Sequence, residues 1–153
     1  MKSYLLPILT LIIINISSIT SLAAKELNFN NYKSIYYCHL LNKRYTFAVS
    51  NELYEKMTKW NIESDKSPPT SPQKAFQLAK NRLDQIGLTE GSSWIFEGAT
   101  LQPIKSFLPD KKWIWKITFR HQPKGGFSSA PVRMKFLVTM DGVLVEPIIT
   151  NIR

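Results

Sequence analysis

The sharpest pattern in the chain lies in its carboxy-terminal half. Trp113, Trp115, Ile117 and Phe119 alternate with Ile114, Lys116, Thr118 and Arg120, the period-two signature of a strand with one buried face. Val132, Met134, Phe136, Val138 and Met140 alternate in the same way with Arg133, Lys135, Leu137 and Thr139. Asp141-Gly142 follows and predicts a two-residue type I′ turn into residues 143–145, because Asp-Gly tolerates the positive φ values of that turn. Residues 94–101 also read as a strand. Nearer the amino terminus, residues 35–41 and 45–50 are strand-like and are separated by the polar Asn42-Lys43-Arg44. That spacing suits a hairpin, although no glycine marks it.

One segment carries a helical period. Ser71 stands as N-cap with Pro72 at the first helical position, and Ala75, Ala79, Leu83 and Ile86 form a stripe widened by Phe76 and Leu78. Lys74, Lys80, Arg82 and Asp84 fall largely opposite. Gly87 predicts a left-handed residue just past the helix, with Leu88 folding back as its apolar contact. Residues 51–60 fit two readings: a short helix capped by Asn51, or a loop that inserts Trp60 as an anchor. Residues 61–70 form a polar, proline-containing connector, and residues 109–112 and 122–131 read as loops, the second mobile with its Gly125-Gly126. These elements predict an α+β fold, one main helix packed on an antiparallel sheet of about four strands, with an amino-terminal β-hairpin. Strand order is not readable from the pattern.

The amino terminus changes where this domain is expected to work. Lys2 precedes an apolar run over residues 4–14, and Ser21-Leu22-Ala23 places small residues at both positions that signal peptidase inspects. A spanning helix needs about 20 mostly apolar residues, whereas Asn15, Ser17, Ser18, Thr20 and Ser21 interrupt this run. Residues 1–23 are therefore expected to be a signal peptide and residues 24–34 a flexible tail. A single domain over 35–153 follows, comprising hairpin region 35–60, connector 61–70 and helix-on-sheet unit 71–153. The product is expected to be secreted or periplasmic, without stable membrane insertion after cleavage. Export argues against ATP- or NAD-dependent chemistry, since those cofactors are scarce outside the membrane. The single cysteine, Cys38, permits no internal disulfide. Its apolar setting reads as a buried thiol, with an intermolecular disulfide as the other reading.

The formal charge of +9 comes from 20 basic and 11 acidic residues. The charges are scattered rather than gathered into the stripe or module that nucleic acid requires, so nucleic acid is not expected as a partner. Catalytic and metal-binding patterns are equally absent from the sequence. His39, His121 and Cys38 are too few and too scattered for normal zinc-ligand spacing, and no cofactor is expected. Cys38 and His39 are neighbours on a strand, hence on opposite faces. There is no Gly-x-Ser-x-Gly elbow and no phosphate-cradling loop. Glu97 interrupts an apolar strand on the face of Ile95 and Ala99 and reads as a solvent-facing or ion-paired carboxylate. Trp113 and Trp115 share a face with Ile117 and Phe119 and read as core, with an exposed carbohydrate platform as the alternative. The opposite face carries Lys116 and Arg120, and the next strong strand carries Arg133 and Lys135 at equivalent positions. If those strands are neighbours, the four cations form one surface for an anionic partner.

The order of features resembles the PepSY-like domains. Ser71-Pro72-Gln73-Lys74-Ala75 opens a helix, Trp113-Ile114-Trp115-Lys116-Ile117 makes an aromatic strand, and residues 136–140 lead into Asp141-Gly142-Val143-Leu144. The resemblance covers residues 71–147. The loop at 122–131 and the hairpin at 35–50 depart from that compact pattern. It implies a small exported α+β module, with a helix on an antiparallel sheet and a peptidase-restraining role proposed for the family. The family has no catalytic signature, so no site residue carries over. The expected function is a non-enzymatic envelope module contacting protein or anionic envelope polymer. A secreted hydrolase whose site assembles only in three dimensions is the competing reading. Amino-terminal sequencing of exported material is expected to begin at Ala24 or one residue later; intact Met1 in a membrane fraction would contradict this.

Overall fold

The computed structural model describes residues 29–87, 91–104, 112–125 and 131–152. The expected signal segment 1–23, most of the expected tail, Leu88 and much of the two long loops lie outside the described residues. A 3-10 turn at Phe29–Asn31 leads into β1 (Tyr32–Leu40), β2 (Lys43–Ser50) and α1 (Asn51–Lys56). Then come α2 (Pro72–Asp84), β3 (Ser93–Pro103), β4 (Trp113–Gln122), β5 (Arg133–Thr139) and β6 (Ile148–Asn151). The strands form two antiparallel three-stranded sheets, β1-β2-β6 and β3-β4-β5. The fold is a sheet-dominated α+β arrangement. No described helix is long and apolar enough to cross a membrane.

The expected four-stranded sheet is three strands plus a single bridge. Leu144 bridges to Val138, and the chain then leaves β5 so that residues 148–151 pair with β2 as β6. The carboxy terminus thus completes the amino-terminal hairpin, joining regions that the sequence pattern treats as separate units. The turn after β5 also differs from expectation. Gly142 N–H donates to Thr139 C=O at 3.0 Å while Thr139 N–H donates to Val143 C=O at 2.9 Å, closing a three-residue connection. Gly142 alone takes a positive φ, 74°, as in the hairpin that combines an ordinary turn with a left-handed glycine. Asp141 instead ties the turn to the end of α1, its carboxylate accepting from the backbone N–H of Thr58 at 2.9 Å and from the Thr58 hydroxyl. Burial works against its charge, yet these hydrogen bonds, with Lys112 nearby, hold its carboxyl below the usual value.

The β1–β2 hairpin is tighter than the three-residue gap expected, because β2 begins at Lys43 and only Leu41 and Asn42 remain in the turn. Both have positive φ, 50° and 57°, the geometry that matches the twist of the flanking strands. Around residues 50–60 both sequence readings contribute. Ser50, rather than Asn51, caps α1 by accepting from Leu53 N–H at 3.1 Å. Trp60 enters the core beyond the helix, 5.6 Å from Trp113 in an edge-to-face contact. Lys112 closes the other end of α1. Its buried ammonium donates to the carbonyls of Tyr54 at 2.5 Å and Glu55 at 2.8 Å, where the helix leaves acceptors unpaired. The α2 helix starts as expected, with Ser71 Oγ accepting from Lys74 N–H. It ends sooner: Gln85 is the cap, and Gly87, at φ 34°, lies two residues beyond it.

The core is built on the apolar face of β3-β4-β5. Register places Phe96, Phe119 and Met134 in one row, with Ile117 and Phe136 in the next. Phe76 of α2 meets Phe96 at 4.9 Å and Phe119 at 5.9 Å, and Phe136 meets Phe119 at 6.0 Å and Phe47 of β2 at 5.0 Å. Ala75 and Ala79 are fully buried, so α2 lies close against what it covers. Thr70 stitches the connector to this core: its carbonyl accepts from Trp115 Nε1 at 2.7 Å and its hydroxyl donates to Met140 C=O at 2.7 Å. Truncating Phe136 or Trp115 to alanine is expected to cost about 3–5 kcal/mol each, against about 5–15 for a typical domain. Urea denaturation measures this; a loss below about 1 kcal/mol at both would invert the assignment of faces.

Candidate anionic-partner surface

The four cations anticipated from the sequence meet on one face of the second sheet. Strands β4 and β5 are direct neighbours, with Arg120 opposite Arg133, Thr118 opposite Lys135 and Lys116 opposite Leu137. Cross-strand partners point to the same side of a sheet, so Lys116, Arg120, Arg133 and Lys135 share the face opposite Phe119 and Phe136. Farther along, the same face carries Ile114, Leu137 and Thr139, all fully buried. The face is therefore divided: core at one end, cations at the other.

Two like charges placed directly opposite one another destabilise a sheet. Glu97 offsets that cost for Arg120 and Arg133. The ladder between β3 and β4 slips between Phe96 and Gly98, leaving Glu97 as the extra residue of a bulge. A bulge re-aims the side chain it carries. Here it keeps Glu97 on the face of Ile95 and moves Ala99 to the other side, in register with Ile117. The carboxylate takes Arg133 Nε at 2.7 Å and Arg133 Nη2 at 3.3 Å, and reaches Arg120 Nε at 3.2 Å. The hydrogen bond from Arg133 outweighs partial desolvation and, with the charges of both arginines, holds the Glu97 carboxyl below its usual range.

The two lysines have a different partner. Lys135 Nζ lies 5.4 Å and Lys116 Nζ 5.9 Å from the ring centre of Tyr36, within reach of the negative face of the π system. Tyr36 is held there by Gln102, whose Nε2 donates to the phenol oxygen at 2.6 Å. Tyr36 belongs to β1, so the amino-terminal hairpin helps to frame a surface that sequence reasoning drew from β4 and β5 alone. The overlooked signal was the alternation of Tyr36, Cys38 and Leu40 with the outward-facing Tyr37 and His39. Four cations against one carboxylate leave this face a formal charge of +3. It presents donors and positive potential, with its one carboxylate already occupied.

The other residues considered for chemistry are dispersed. Cys38 is buried, and burial pushes its thiol up to about 11. His39 is exposed on the opposite side of β1, where its Nε2 accepts from Arg44 Nε at 3.1 Å. His121 sits on β4 beside Trp94, with ring centres 5.2 Å apart. Trp115 is core; Trp113 is half-buried against Trp60. Among the described residues, no group of three or more His, Cys, Asp or Glu side chains is placed to hold a metal ion. A carboxylate kept ionised by two guanidiniums is also a poor proton donor. No family model, curated protein or solved structure matches the chain.

The Glu97 ion pairs generate a pH dependence with a defined sign. Because the folded-state value is depressed, the pairing is complete above the ordinary carboxylate range, about 4.3. It is lost as pH falls through the lower folded-state value. Carboxyl NMR is expected to show Glu97 titrating below an unstructured glutamate, and Arg133→Gln to move it back upward. A titration unmoved by Arg133→Gln would show that this pairing does not hold the carboxylate.

Proposed function

We propose that this protein is an exported, non-enzymatic PepSY-like module whose basic sheet face contacts an anionic envelope polymer. The observation that carries the reading is the +3 cluster of Lys116, Arg120, Arg133 and Lys135 around Glu97 and Tyr36. Arginine forks suit carboxylate and phosphate groups. The helix packed on an antiparallel sheet fits the PepSY-like resemblance, and the signal-like amino terminus fits export. An acidic protein surface, including that of a peptidase, offers the same chemistry to this face and is the alternative partner.

Attraction of this kind weakens steeply as the Debye length contracts from about 10 Å at 0.1 M salt to about 3 Å at 1 M. Replacing all four cations with glutamine is expected to abolish retention on an anionic polymer at low salt. Thermal melting would check that the fold survives, since only Arg133 is exposed and Lys116, Arg120 and Lys135 are half-buried. Glu97→Gln removes the one carboxylate of the face and is expected to strengthen retention. Equal retention by the quadruple variant would assign binding to net charge, and wild-type retention unchanged at 1 M salt would point to contacts of another kind.

A further inference from the structure

At the first sheet, the β1–β2 turn, the end of α2 and the outer strand β6 border an open groove of about 390 Å³. That volume lies within the ~300–1,000 Å³ typical of small-molecule sites. Its walls include Leu41, Tyr45, Ile86 and Ile149. The local folding explains why they meet. Tyr45 and Ile149 are cross-strand partners and share a face, the left-handed turn at Leu41 and Asn42 sets the end of the hairpin, and Ile86 follows the cap of α2. Leu41 is 47% exposed and Ile149 44%, so the apolar wall is only half covered.

The charged side chains lining the groove, Lys43 and Arg82, are donors with capacity to spare. Tyr45 is 4% exposed as a whole residue, and its hydroxyl, without a hydrogen-bond partner among the described residues, is open to solvent. Burial raises the phenol above its ordinary value, against the opposing charge of Arg82, so it stays a protonated donor. Lys43 lines the same groove and pairs with no carboxylate among the described residues. Arg82 donates from Nε to Glu146 at 2.8 Å and from Nη1 to Gln85 Oε1 at 3.1 Å. Its guanidinium therefore retains further N–H groups, while Gln85 Oε1 already has a donor. The nearby helix carbonyls of Arg82 and Leu83 accept from Gln85 and Ile86 N–H. Lys43 and Arg82 against the largely exposed Glu146 leave one net positive charge.

We propose that this groove binds an aliphatic carboxylate of the fatty-acid type, its head on the Tyr45 hydroxyl and Lys43 and its chain along Leu41, Ile86 and Ile149. A neutral apolar molecule would cut the solvent-open Tyr45 hydroxyl off from water and leave it unpaired, a cation would be repelled, and a wholly polar anion would leave the apolar walls wet. The site is independent of the basic sheet face.

The test is an amide NMR titration of the full mature chain with decanoate below its micellar range. Saturable shifts are expected at residues 41–45, 85–87 and 148–150. Tyr45→Phe keeps the packed ring and is expected to weaken binding about tenfold, the effect of one hydrogen bond to a charged group. The exposed Lys43→Gln gives a second variant with little risk to folding and is also expected to weaken binding. Decanol and decyltrimethylammonium are expected to bind at least about tenfold more weakly than decanoate. Equal affinity for decanol, undiminished binding by both variants, or shifts spread over the whole surface would overturn the proposal. A peptide ending in a free carboxylate that saturates the groove where decanoate does not would overturn the choice of ligand.

Discussion

Burial of β5 on both faces is the constraint from which the rest of the arrangement follows. Met134, Phe136 and Val138 on one side and Leu137 and Thr139 on the other are all inaccessible. A strand that ends a three-stranded ladder would ordinarily expose an edge and one face. Here α2 and Phe47 cover one side, Leu144 bridges to the free edge, and β1 of the first sheet lies alongside. The amino-terminal hairpin is therefore part of the same core as the helix. Lys112 on the carbonyls of α1, and Asp141 on Thr58, fix the segment between them.

The same constraint confines the cations. With Leu137, Thr139 and Ile114 buried at one end of the second face, Lys116, Arg120, Arg133 and Lys135 crowd the other. Crowding of like charges is tolerable because Glu97 divides the arginines and the Tyr36 ring attracts the lysines. These contacts order the face without cancelling its charge. A preorganised set of cations loses less side-chain entropy on meeting an anion than freely moving lysines would, which suits a binding surface built on a rigid sheet.

Much of this was legible because alternation and capping are local. Ser71-Pro72 sets the start of α2, the Trp113–Phe119 and Met134–Val138 alternations mark β4 and β5, and their adjacency gathers the four basic residues. What escaped the sequence depended on distant partners. Residues 148–151 carry no strong strand pattern, and β6 forms because β2 offers a free edge. The three-residue turn at 140–142 follows from the bonds between Thr139 and Gly142 and Val143; Asp-Gly alone fits a two-residue turn equally well. Glu97 was readable as ion-paired, but its two arginines depend on a bulge in the β3–β4 register. Tyr36 belongs to a strand far away in sequence, and the groove beside Tyr45 draws on the hairpin turn, α2 and β6.

If binding resides in this particular sheet face rather than in net charge, an anionic polymer should touch few residues. Titrating the protein with soluble polyglutamate while following every backbone amide addresses this directly. Coherent shifts are expected around Glu97, residues 116–120 and residues 133–135, and they should disappear at high salt. Shifts of equal size around Lys56, Lys66 and Lys80, outside that sheet, would contradict a localised face.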